Sequence, residues 1–415
     1  MTTRRNFLFG MAAIGASKNV LGVHHLSKSK ESKNISDKAL WNSIRKEFNT
    51  EDMVNLNNGS GSMMPNYIYD KYIENTKTLS TFAPYKILSK WEPKIKSNLQ
   101  RIKELIGSQN GQILINQNST SGINTIINGF PLKKKHEVLY SNVEYPHVEE
   151  TILNRSIKEK FKVKKIFLNI PKISDREILE CYRKAFRNKT KLLILTHITH
   201  RRGHIMPVKA ICQLAAEHGI ETMVDGAHSI GQIDHSLKEI NCEYYVTSLH
   251  KWLNAPLGTG LLYIRNDKIE KINPPGSYPQ KLKDKFVKFD YQGTRAFQNI
   301  VTTGAVLDFL DQMGIEKKQQ RLNDLKKYWV SALKEHDKFI IASDINRSCA
   351  IASFRIKDTN SNSLKKVYLN KYKIHIKCTS GWDKAPIMRI SPDIYTSFED
   401  LDRFIGASIE IAENT

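Results

Sequence analysis

Between residues 111 and 265, short apolar, β-branched runs alternate with amphipathic stretches, the pattern of a mostly parallel sheet covered by helices. The spacing predicts seven strands, over residues 112–115, 137–140, 164–168, 191–196, 221–224, 244–247 and 260–264. Between the fourth and fifth, PVKAICQLAAEHG sets Val208, Ile211, Cys212 and Ala215 at i, i+3, i+4 and i+7, with Pro207 at the start and Gly219 at the end. This predicts a crossover helix with Cys212 on its buried face. Beyond the last strand, residues 304–314 read as a helix leading into a lysine-rich helical stretch from Ile315 to about His336. A smaller α+β tail begins at Phe339. The expected class is α/β: a leader and linker over 1–35, an N-terminal segment over 36–65, a large domain on the seven-stranded sheet over 66–305 and a small C-terminal α+β domain over 306–415.

The composition allows a core of that size. Of 415 residues 40% are hydrophobic and 26% charged, which excludes a disordered or collagen-like chain. Lys and Arg number 64 against 42 acidic residues, a net charge of +22. Such a surplus admits nucleic acid, anionic membranes or anionic small molecules as partners. The basic residues are dispersed and no known motif interleaves them with aromatics, which argues against nucleic acid. Five cysteines (Cys181, Cys212, Cys242, Cys349, Cys378), an odd number without a C-x-x-C pair or histidines clustered at zinc spacing, argue against a disulfide scaffold and a structural zinc site. Apolar runs in the body of the chain fall far short of the roughly 18 residues of a bilayer-spanning helix. At the start, TTRRNFLFGMAAIGA carries Arg4 and Arg5 before a modest apolar stretch and resembles a twin-arginine export signal. Export to the periplasm is the expectation, with the cytoplasm as the alternative.

The segment YYVTSLHKWLNAPLGTGLLYIR ends a strand in Ser248, Leu249, His250, Lys251 and Trp252. A lysine at a sheet edge, partly desolvated and near other cations, has a lowered pKa and can form a Schiff base with an aldehyde cofactor. Upstream, VDGAH places Asp225 at the carboxyl end of another strand, the edge where open α/β sheets bind ligands. A carboxylate there can pair with a protonated pyridine nitrogen and keep the ring electron-withdrawing. Asp225 and Lys251 together point to pyridoxal 5′-phosphate.

On these residues the chain resembles the class V aminotransferase family, the fold-type I pyridoxal-phosphate group that contains cysteine desulfurases and isopenicillin N epimerase. The resemblance runs from Leu56 to Phe404 through LNNGS, NSTSGIN, EYPH, THITHRRG, VDGAH, SLHKW, QGTR and RISPDIYTSFEDLDR, in order. It implies that Lys251 is the Schiff-base lysine, that Asp225 pairs with the pyridine nitrogen and that His228 lies beside the ring hydroxyl. Ser119 and Thr120, at the start of a helix, would bind phosphate with Ser248 and His250. Tyr145 would stack on the cofactor face. Thr294 would reach the phosphate from a neighbouring subunit, implying a homodimer with shared sites. Arg389 would receive the substrate carboxylate, and Asn58 falls in the substrate-binding set. His200, followed by Arg201 and Arg202, departs from the family pattern and is read as a site contact. Arg295 reads either as a ligand for a second carboxylate or as a salt-bridge residue.

Three fates of an α-carbanion share these residues: reprotonation on the other face, amino transfer and loss of a β-substituent. Cysteine desulfurases need a nucleophilic cysteine in an Arg-x-Gly-x-x-Cys context before the substrate arginine, and HIKCTSGWDKAPIMRIS lacks it. Cys378 reads as structural. The sequence therefore reads as an isopenicillin N epimerase-like enzyme acting at the α-carbon of an amino-acid-like substrate, with a C–S lyase or desulfurase as the alternative. A basic binding protein that keeps the fold without catalysis is a third reading, disfavoured by the joint presence of Lys251, Asp225 and Arg389.

Overall fold

The computed structural model describes residues 37–81, 83–359, 361–381 and 385–414; the twin-arginine segment lies outside them. The chain divides into Met1–Leu40 and Trp41–Thr415, and everything below concerns the second unit. Its strands are β1 (Val54–Asn55), β2 (Gly111–Asn116), β3 (Glu137–Ser141), β4 (Lys162–Ile166), β5 (Thr190–Thr196), β6 (Glu221–Asp225), β7 (Tyr244–Ser248), β8 (Gly260–Arg265), β9 (Phe339–Ile341), β10 (Ala352–Ile356), β11 (Ile374–His375), β12 (Lys377–Ser380) and β13 (Pro386–Ile390). The helices that matter here are α1 (Asn66–Leu79), α2 (Glu92–Leu105), α3 (Ser119–Gly129), α4 (Pro146–Glu159), α5 (Asp175–Ala185), α6 (Val208–Glu217), α7 (Phe297–Asp311), α8 (Ile315–Lys334), α9 (Ser361–Tyr372) and α10 (Phe398–Glu413).

The expected seven-stranded sheet is present, in the order β2-β8-β7-β6-β5-β3-β4. Only β8 runs antiparallel to its neighbours, β2 and β7. In β5, Leu192, Leu193, Ile194 and Leu195 are wholly buried, as in a strand covered on both faces. The crossover helix α6 buries Val208, Ile211, Cys212 and Ala215 as the periodicity requires. The third strand lies two residues earlier than expected, at Lys162–Ile166. Its register pairs Lys162 with Glu137 and Ile166 with Ser141. Beyond it, Leu168 is held by side-chain bonds to Asn142 rather than by a ladder, so its hydrophobicity marks a clasp and not a strand.

The helix expected over 304–314 begins earlier, at Phe297. It is buried nearly all round and packs between α1 and α2, the mark of an interior helix. A second core lies around the antiparallel sheet β12-β13-β10-β9, where Trp329, Phe354, Tyr368 and Phe404 meet between α8, α9 and α10. α10 starts on a reciprocal capping box between Ser397 and Asp400. β1 pairs in parallel with β11, so the segment before α1 belongs to this second core. Among the described residues no helix is long and apolar enough to cross a membrane.

Candidate active site

The carboxyl ends of β5, β6 and β7 bring the predicted residues together. Asp225, the last residue of β6, is buried, and its carboxylate accepts the Ala227 N–H at 2.9 Å. Burial raises its pKa, opposed by that N–H and by the nearby Lys251 charge. The next residue must be glycine: a Cβ on Gly226 would stand 2.2 Å from the Tyr245 hydroxyl. Lys251 follows β7, and burial pushes its amine down to about 8, with Arg389 adding to the shift and Asp225 opposing it.

His228 lies between Lys251 and Trp252. The indole N–H of Trp252 donates to His228 Nδ1 at 3.3 Å, and Nε2 faces Lys251 Nζ at 3.5 Å. Burial holds the imidazole well below its usual range, so the ring is neutral and, with Nδ1 accepting, carries its proton on Nε2. Above about pH 8, where the Lys251 amine is uncharged, that proton faces its lone pair.

At the start of α3, Asn118 caps the helix by accepting the Ser121 N–H. The Ser119 N–H donates to Ser248 Oγ at 3.1 Å, and Ser248 Oγ donates to Ser119 Oγ at 3.0 Å. Two hydroxyls thus meet at the positive end of a helix, a ready anion cradle. Thr120 is exposed beside them. His250 Nδ1–H donates to Thr259 O at 2.8 Å, which fixes its tautomer.

Arg389, on β13, is buried, and burial lowers its pKa to about 10. Nη1 donates to His200 O at 3.0 Å, while Nη2 donates to Asn57 Oδ1 and Ser60 Oγ, both at 2.8 Å. Nε is buried without a partner, a donor left for an incoming anion. Gly59 makes room for this guanidinium, since a Cβ there would lie 3.3 Å from Cζ. The half-buried His200 ring lies edge-on to Tyr145, with centroids 5.1 Å apart, and Tyr145 itself is 40% exposed.

Three predicted residues sit differently. Asn58 is not a substrate contact: its amide donates to Asn55 O and Ser391 O and accepts from Asn55 and Tyr395, so all its capacity is used internally. Its neighbour Asn57 accepts from Arg389 instead. Arg295 takes the salt-bridge reading, paired with Asp290 and lying over the Phe297 ring. Thr294 is exposed. Cys378 lies inside β12 and packs against the second core, and burial pushes its thiol up to about 11.

Two features gave no signal in the sequence. Glu144 is buried and accepts a hydrogen bond from Ser141 Oγ at 2.8 Å; burial raises its pKa, opposed by that hydrogen bond and reinforced by the nearby Asp225 charge. Lys318, from α8, is also buried. It donates to Asn254 Oδ1 at 2.9 Å and to the carbonyl of Trp252, the residue after Lys251. Asn254 in turn donates to Asp393, four residues beyond Arg389, at 2.7 Å.

A desolvated lysine, a buried carboxylate and an anion cradle at the carboxyl edge of a mostly parallel sheet define an enzyme site of the pyridoxal-phosphate kind. Residues 62–404 match the family model "Aminotransferase class-V", and the chain belongs to that family. It is similar to isopenicillin N epimerase of Streptomyces clavuligerus, with 24% identity over 86% of this chain and 94% of that one. A probable cysteine desulfurase of Borreliella burgdorferi is 26% identical over 87% and 92%. Among solved structures, the cystine C–S lyase C-DES in complex with its product cysteine persulfide superposes with a TM-score of 0.76 at 19% identity, covering 86% of this chain and 97% of that one. Membership carries the family's cofactor, pyridoxal 5′-phosphate, and the residues present fit it. Lys251 would hold its aldehyde carbon, Asp225 its pyridine nitrogen, and the start of α3 with Ser119 and Ser248 its phosphate.

Proposed function

We propose that this protein is an isopenicillin N epimerase-like enzyme, acting at the α-carbon of an amino-acid-like substrate without a persulfide step. The observation that carries the reading is the absence of a nucleophilic thiol beside Arg389 among the described residues. Cys378 faces the second core, its thiol pushed up to about 11, and Cys212, Cys242 and Cys349 are buried. When bound, the cofactor supplies an electron sink for negative charge on the α-carbon. Arg389 holds the substrate carboxylate, and Asn57, Ser60 and the His200 carbonyl fix the guanidinium that does so. The Lys251 amine, uncharged above about pH 8, is the base at hand for a proton on that carbon. His228 and Trp252 hold the amine in place.

The test incubates the holoenzyme with L-amino acids in heavy water. Exchange and inversion at the α-carbon, without release of sulfide or a keto acid and lost in Lys251→Ala, is the expected result. Release of sulfide and pyruvate from cysteine or cystine would replace this reading with a C–S lyase.

The active form is proposed to be a homodimer in which the exposed Thr294 serves the partner's site. Sedimentation should give a dimer, and Thr294→Ala should weaken cofactor binding. Export through Arg4 and Arg5 is proposed as well, and recovery of the protein only in the cytoplasm with residues 1–35 intact would refute it.

A further inference from the structure

Arg389 stands in the middle of a row that crosses three strands. The register sets Lys377 of β12 directly opposite it on one side and Ser353 of β10 on the other. Residues opposite one another in an antiparallel pair share a face of the sheet, with Cβ atoms about 4.5–5.5 Å apart. Cys378, the next residue on β12, turns to the other face and joins the core, as strand alternation requires. Lys377, Arg389 and Ser353 therefore share the face that looks into the site.

The loop after β5 lies across this row. Arg389 donates to the His200 carbonyl, and Ser353 Oγ donates to the Arg201 carbonyl. The His200 ring feels Arg201, Arg389, Lys251 and Lys377 together, with no acidic group among them. Like charges directly opposite each other on one sheet face repel, so each of the two cations favours an anionic partner of its own. Arg389 is buried and presents its unpartnered Nε, whereas Lys377 is exposed at the mouth, on the edge strand of its sheet.

We propose that Lys377 and Arg389 form a two-cation anion site, and that the substrate is an amino acid with a second carboxylate: Arg389 takes one carboxylate and Lys377 the other. This rests on the reading of the protein as an amino-acid enzyme. Arg295, the candidate for a second carboxylate in the sequence, is already neutralised by Asp290.

The test titrates the pyridoxal-phosphate holoenzyme with L-glutamate, L-α-aminoadipate and L-glutamine, following the visible band of the bound cofactor. A partly solvated charge pair is worth about 1.4 kcal/mol, so the dicarboxylic amino acids should bind about tenfold tighter than glutamine. The preference should shrink with added salt, vanish in Lys377→Met, persist in Lys377→Arg and reverse in Lys377→Glu. Because Lys377 is exposed on an edge strand, these variants are expected to fold. Equal binding of glutamate and glutamine, or a preference unchanged in Lys377→Met, overturns the proposal while leaving the amino-acid reading intact. No response to any amino acid overturns both.

Discussion

Lys318 offers a test in which stability and geometry part company. Its ammonium is buried, and desolvation lowers its pKa from 10.5 to about 8 against the attraction of Asp393. Keeping it charged at pH 7 therefore costs about 3 kcal/mol. Lys318→Met removes that cost and keeps the unbranched shape. It also strips two buried acceptors, the Trp252 carbonyl and Asn254 Oδ1, of their donor, at about 1–3 kcal/mol each. The terms nearly cancel, so the variant should lie within about 3 kcal/mol of the native protein at pH 7. The pH profile separates them. Between about pH 8 and 10.5 the unfolded chain keeps the Lys318 proton that the folded chain has released, so stability rises with pH across that interval. The contribution is about 1.4 kcal/mol per pH unit and is missing in Lys318→Met. Lys251 and Lys326, also lowered to about 8, contribute equally to both proteins and drop out of the difference. Urea unfolding of the cofactor-free forms at pH 7, 8, 9 and 10 should show the native protein gaining on the variant above pH 8. Parallel curves would refute a buried, charged Lys318. Loosening of the Trp252 carbonyl should also weaken cofactor retention, measured by dialysis, even where stability is unchanged.

Four further outcomes follow from the geometry. Cofactor capture by the apoprotein needs the uncharged Lys251 amine, so its rate in stopped flow should rise with pH through about 8; a rise centred on 10.5 would mean an unperturbed lysine. Arg389→Lys replaces a planar fork held by three acceptors with a point charge, and KM should rise about ten- to a hundredfold with a smaller loss in kcat. Gly226→Ala drives a Cβ into the Tyr245 ring and should cost about 1–3 kcal/mol in urea unfolding while displacing Asp225; unchanged stability would show that the loop has room. Cys378→Ala should keep the activity, and native protein incubated with cysteine should show no persulfide on Cys378 under mass spectrometry, since the thiol faces the core.

The large sheet was legible because its strands are apolar runs of the right length between turn signals, and β5 and β7 lie where period and composition place them. β4 was displaced because Phe167 and Leu168 prolong the apolar pattern past the point where pairing with β3 stops. Lys251, Asp225 and Arg389 were legible as chemistry that a folded chain does not need for its core. Asn57 and Asn58 were not distinguishable, since adjacent amides in LNNGS differ only in which way the chain turns them. Lys318 was hidden among the lysines of α8, most of which face solvent, and only the packing of α8 against the Lys251 loop singles it out.

That packing bears on how the site is held. Lys251 belongs to the large sheet and Arg389 to the small one, so their separation depends on whatever joins the two. The joint is polar and buried: Lys318 and Asn254 hold the Lys251 loop, and Asn254 and Ser62 converge on Asp393, on the chain just beyond Arg389. Apolar packing tolerates small slides, whereas a buried chain of directed bonds fixes distance and angle. Asn254 adopts a left-handed backbone conformation, φ 57°, which a short amide side chain accepts more readily than most. The separation of Arg389 and Lys251 is therefore set by Lys318, Asn254 and Asp393. With Arg389 holding the substrate carboxylate as proposed, changes in this joint should shift kcat more than KM, because they move the reacting carbon relative to Lys251 and leave that contact intact.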